Sequence, residues 1–321
     1  MTSTKLNKAI NSLIKDFMGI DESEIVLVIA DDLTKEIGDA LYENLNSFCE
    51  DSYMILLKSN QNREILPEII AESINTVDSI ICAADIPLIN SQARLKATQM
   101  GVRIGLIPNL DEESLVRCLS ANHEKIAEQA EFFSTLMKKT SIIRVETKSG
   151  TNIRIPIRGR EVFSSTGIMR TIGEFGYLPS GKVFVSPIDD RTTGVILIDG
   201  SIDKIGVVEN PVGVEVTSGF MTKISGDGEE PKLLAKIMNK SGKNARNLAE
   251  FGIGINPKAM LSGNNIEDET VEGHAHFVFG GNIGLGGNVN TDFRLSMVMT
   301  KPNVFFDDKL IIQNGKIKKP V

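Results

Sequence analysis

The sequence predicts an α/β N-terminal domain with a parallel sheet over residues 1–140, followed by an α+β domain over residues 141–321. Two observations predict it. Up to residue 140, short continuous apolar runs alternate with amphipathic helical stripes, the rhythm of βαβ units. Beyond it, short strands of alternating polarity are separated by Gly, Ser and Pro, which suits antiparallel pairing.

The elements follow in order. Leu6, Ile10, Leu13, Ile14 and Phe17 fall on one helical face, and Ile25 to Ala30 form the first buried strand. Leu33, Ile37, Ala40, Leu41, Leu45 and Phe48 mark a second helix, and Tyr53 to Leu57 a second strand. Val77 to Ala83 and Val102 to Ile107 read as further strands, with helices around 65–74 and 90–100 between them and two more over 111–138. In the second half, strands are expected at Ile142–Glu146, Asn152–Ile157, Lys182–Ser186, Gly194–Ile198 and Val212–Val216. A helix is expected at 231–250, and glycine-rich strands close the chain.

Composition narrows the function. With 35 basic and 42 acidic side chains the net charge is -7, which argues against a nucleic-acid partner. No apolar run approaches the roughly 18 residues of a membrane helix, so no membrane partner is expected. The N-terminus lacks the sections of a signal peptide, and the three cysteines are far apart without a CxxC pair. A cytoplasmic location is expected. The first strand ends in Asp31-Asp32-Leu33-Thr34, without the glycines that cradle a dinucleotide phosphate.

Chemistry is expected in the second half. His274 and His276 are two apart, so on a strand both imidazoles point to one face. Glycines crowd the stretch from Gly273 to Gly287, which implies turns or close backbone approach. Glu250 sits among Leu248, Ala249, Phe251 and Ile253, where a buried acid needs a cation or hydrogen-bond partner.

These residues resemble a known family. The stretches Asn244–Ala259 and Glu272–Gly281, together with Leu178–Pro187, Gly200–Ile202 and Lys301–Lys316, are similar to the aminopeptidase T-like thermophilic metallopeptidases (leucyl aminopeptidase-like). The same superfamily contains iron-dependent dioxygenases that open dihydroxypyridine rings. The resemblance implies an aminopeptidase T-like α+β second domain, a homodimer and a metal centre. Position by position, Glu250 and His276 match metal ligands of the family. Lys182 stands where the family has a second glutamate, and Arg294 and Ser296 stand where it has a His-x-Asp pair. A guanidinium and an ammonium repel a pair of divalent ions, so an ordinary two-metal peptidase is not expected.

Three readings follow. In the first, the altered site is metal-independent: Glu250, His276, Lys182 and Arg294 are catalytic, and Lys182, Arg294 and Ser296 bind a small anionic or peptide-like substrate. Transferase, lyase or amide-forming or amide-cleaving chemistry in a biosynthetic pathway would suit it. No cofactor is favoured there. In the second, His274, His276 and Asp292, with Glu250, hold a single Fe(II) or Zn(II) for dioxygenase or hydrolase chemistry. In the third, the chain is a non-catalytic family member with a binding or assembly role.

Overall fold

The computed structural model describes residues 4–60, 64–89, 91–108 and 110–318. It divides into two compact units, Met1–His123 with Gly167–Ser180, and Glu124–Thr166 with Gly181–Val321.

The first unit is the parallel α/β sheet that the apolar runs predict. Its strands lie in the order Asp51–Leu57, Ile25–Asp31, Ser79–Cys82, Arg103–Leu106, Phe175–Tyr177, every pairing parallel. The inner strands are continuous apolar runs because a parallel sheet is covered on both faces; Val26 to Ala30 are all buried. Helices Lys35–Asn46, Glu68–Ser73 and Gln92–Gln99 alternate with the strands, and Glu112–Leu119 follows them. Residue 90, the first of the helix expected there, lies outside the described residues. The N-terminal stripe forms the helix Thr4–Ser12 and a π-helical turn Leu13–Phe17, with Leu6, Ile10, Leu13, Ile14 and Phe17 buried. At the end of the first strand, Asp31 accepts the N–H groups of Leu33 and Thr34 at 3.0 Å, so this acid serves the turn into the next helix.

The second unit contains the helix His123–Lys139 from Glu124 onward and two antiparallel sheets. One sheet has eight strands, in the order Phe220–Ser225, Val212–Thr217, Thr193–Ile198, Asn152–Pro156, Ile142–Glu146, Asn303–Phe306, Lys309–Gln313, Lys316–Ile317. The other has seven, in the order Gly206–Val207, Ser201–Ile202, Arg294–Met299, Ala275–Gly280, Leu248–Gly254, Lys182–Val185, Val162–Ser165. The helix expected over 231–250 is shorter. It spans Glu230–Lys240, and Ser241 and Gly242, the latter at φ +79°, end it before the chain turns into the Leu248–Gly254 strand. Glu250 therefore lies on a strand.

The seven-stranded sheet keeps its two kinds of side chain apart. Val183, Val185, Phe251, Ile253, Phe277, Phe279, Leu295 and Met297 are paired across it, and all are buried. The alternate residues form the opposite face. A bulge at Ala249 pairs Leu248 with Phe279 but Glu250 with Val278, so Leu248 joins the apolar side while Glu250 turns to the other. Among the described residues no helix is long and apolar enough to cross a membrane.

Candidate functional site

The register of four neighbouring strands assembles the site. Gly254 pairs with Lys182 and Gly252 with both Phe184 and His276; His276 pairs with Val298, Val278 with Ser296 and Gly280 with Arg294. Since residues two apart share a face, Lys182, Glu250, His276, Arg294 and Ser296 all belong to one side of the sheet. Glu269 joins them from the end of the short helix Asn265–Asp268.

Their contacts form one ion-pair network. His276 is fully buried, and its Nε2 lies 3.0 Å from Glu250 Oε1. Lys182 Nζ bonds Glu269 and lies 3.5 Å from Glu250 Oε1. Arg294 donates from both terminal nitrogens to Glu269 Oε1 at 3.1 Å and reaches Glu250 Oε2 at 3.8 Å. Both acids are almost fully buried, whereas the Arg294 side chain is 44% exposed. Burial alone would raise both carboxyls. At Glu250 the Lys182 charge, the His276 hydrogen bond and Arg294 overcome it and bring the pKa down to about 2. Arg294 and Lys182 hold Glu269 well below the usual carboxylate range.

Ionised Glu250 can only accept, so the imidazole proton facing it lies on Nε2. His276 Nδ1 and Ser296 Oγ are then buried polar atoms without a hydrogen-bond partner among the described residues. Gly252 makes the histidine's position available: a Cβ there would fall 2.2 Å from the His276 ring and 2.9 Å from Phe184 Cβ.

The other expected residues lie apart from this group. His274 is half-buried, and its pKa is lowered by burial, with Asp199 opposing and Lys301 assisting. Asp292 is exposed. Among the described residues, the acids and histidines close enough to share one ion are Glu250, Glu269 and His276. Glu269 was not singled out by the sequence. Its one signal is the position of three acids shortly before the His-Ala-His tripeptide.

Comparison with known proteins places the chain. The family described as NicX, 2,5-dihydroxypyridine 5,6-dioxygenase, matches residues 50–319. The chain belongs to that family. The 2,5-dihydroxypyridine 5,6-dioxygenase of Pseudomonas putida is 23% identical over 250 residues, 73% of this chain and 69% of that protein. Among solved structures, 2,5-dihydroxypyridine dioxygenase from Pseudomonas putida KT2440 superposes with a TM-score of 0.84 at 19% identity, covering 98% of this chain and 97% of that one. Wild-type AmpT from Thermus thermophilus superposes at 0.72 with 14% identity, covering 98% and 99%. The expectation that ranked aminopeptidases before dioxygenases is thereby corrected: the likeness to AmpT is one of fold.

The contacts also decide whether the group, as arranged, fits a divalent ion. The three donors lie within 4.8 Å of one another, near the limit of about 4.4 Å that two opposed bonds of about 2.2 Å can span, so an ion would hold them only if they drew closer. Charge and hydrogen bonding oppose it. The attraction of a dication to two carboxylates is cancelled by its repulsion from Lys182 and Arg294, each pair of unit charges being worth about 4 kcal/mol at 4 Å in an effective dielectric of 20. His276 directs a proton, not a lone pair, toward the acids. Its other nitrogen also lacks the hydrogen bond that metal-bound imidazoles ordinarily make. The residues as they stand do not fit a metal.

Two outcomes follow. Both glutamates titrate lower in the folded chain than the ordinary 4.5, so the stability they contribute is full above pH 4.5 and is lost as pH falls toward 2. Calorimetry should show that acid loss in the wild type and a flatter profile in Lys182→Met, where burial is less opposed; identical profiles would contradict the network. Gly252→Ala should cost about 1–3 kcal/mol by overpacking against His276, read by denaturant unfolding, and an unchanged midpoint would show that the ring is not held there.

Proposed function

We propose that this chain is a small-molecule enzyme of the dihydroxypyridine dioxygenase family that takes a hydroxylated, anionic nitrogen-containing aromatic ring at the Lys182–Arg294 face. The observation that carries the proposal is a buried Glu–Glu–His group under two cations, gathered against one sheet face, in a chain whose family match covers residues 50–319.

The roles follow from position. Arg294 is the exposed member of the network, so an incoming oxyanion meets its planar fork first. Lys182 lies deeper and supports the same charge. The Glu250–His276 pair can take and return a proton where substrate binding opens a path to the buried Nδ1, Glu250 holding the imidazole by its Nε2. Removing the hydroxyl proton leaves an electron-rich ring, the form that reacts with electrophiles. Ser296, buried without a partner, is a second hydrogen-bonding group for the ring.

The donor spacing and the family favour a second reading, in which Lys182 and Arg294 move aside and a single iron or zinc ion rests on Glu250, Glu269 and His276. Iron there would supply oxygen chemistry, zinc hydrolysis. The rebuilt set with His274 and Asp292 would need both to join His276, from which Asp292 is separated by its exposure.

Spectrophotometric titration with 2,5-dihydroxypyridine and a panel of hydroxypyridine carboxylates tests the substrate class. At least one anion should bind, and Arg294→Met should weaken it about 10- to 100-fold, the worth of a charged hydrogen bond. No binding across the panel, or equal binding by wild type and variant, would refute the proposal.

A further inference from the structure

Spacing and charge disagree at this site. Glu250, Glu269 and His276 offer three ligand atoms within 4.8 Å, yet Lys182 and Arg294 already satisfy both carboxylates. The structure assigns to Lys182 and Arg294 the role of built-in counter-cations filling a latent metal position. The wild-type chain takes no divalent ion there, and removing both charges turns Glu250, Glu269 and His276 into a site for a single transition ion.

The balance of charges supplies the reason. Two carboxylates and two cations sum to zero, and the carboxylates are almost fully buried. Ionised acids in such surroundings must be neutralised by proton or cation. With Lys182 and Arg294 neutral, the pair carries two negative charges at a separation close to what one dication spans. The donors would have to draw together only slightly, because they are already placed by elements that do not depend on the cations. Glu250 is set by the bulge at Ala249, and Glu269 by the helix end that Glu267 and Asp268 tie to the backbone of Met260, Ser262 and Gly263. His276 is set by the space above Gly252. The imidazole must carry its proton on Nδ1, which has no partner among the described residues, to free the Nε2 lone pair for the ion. Two carboxylates and one imidazole suit Zn2+, Co2+ or Fe2+.

The inference rests on the site geometry and not on the ring substrate, since metal uptake is read with no substrate present. Wild type and Lys182→Met/Arg294→Met would be purified with chelator and titrated with Co2+, followed by visible absorption and elemental analysis. The double variant should bind about one equivalent, with affinity falling at least about tenfold on adding His276→Ala, and Zn2+ should raise its melting temperature but not that of wild type. Wild type holding one equivalent of divalent ion through His276 would overturn the inference, as would a folded double variant that takes none. Should the double variant not fold with or without Zn2+, Arg294→Met alone decides: its half-exposed side chain is the milder loss, and Co2+ affinity no higher than in wild type would overturn the inference.

Discussion

Two buried carboxylates facing each other are the constraint around which the second unit is arranged. Glu250 and Glu269 cannot share an interior unless something neutralises them, and the sheet order brings the neutralising groups to both sides. His276 and Glu250 occupy the two inner strands of the site, Arg294 and Lys182 the strands flanking them. The cluster is thus a property of register. A one-residue slip on any of the four strands would send its polar member into the phenylalanine-rich side of the sheet.

The fold carries chemistry without choosing it. Chains described as a dioxygenase and as AmpT both superpose on this one over nearly its full length. The residues that made the aminopeptidase likeness visible explain why it extends to architecture alone. Asn247 donates to the Gly280 carbonyl and accepts the Gly280 N–H through its own carbonyl, pinning two strands together. A Cβ on Gly273 would lie 1.8 Å from the Gly315 carbonyl oxygen, and one on Gly254 would lie 2.2 Å from that of Val271. Such positions preserve a backbone, whatever side chains stand on its exposed face.

The same distinction explains what the sequence could reveal. The first sheet was legible because its inner strands are buried on both faces and so read as unbroken apolar runs. Phe175–Tyr177 was not, since this three-residue edge strand joins by backbone pairing and leaves Phe175 and Tyr177 substantially exposed. Glu250, His276, Lys182 and Arg294 could be named from their surroundings and the family pattern, and the structure brings them together. Glu269 could not. It follows Glu267 and Asp268, both fully buried, which hold backbone N–H groups, while only Glu269 turns to the cations. Three adjacent acids look alike in sequence; the turn of a four-residue helix gives each a different partner.

The network is also asymmetric in a way that bears on how any anion would enter. Lys182 is largely buried, its ammonium bonded to Glu269 and lying 4.9 Å from the Phe184 ring centre, whereas nearly half of the Arg294 side chain faces solvent. An anion arriving from solvent therefore competes with Glu269 for Arg294 before it can approach Lys182. Every share of the guanidinium it takes leaves Glu269 more dependent on Lys182, and Lys182 in turn less engaged with Glu250. Glu250 would then rely more on its hydrogen bond from His276, the contact that links the exposed edge of the network to the imidazole at the buried end.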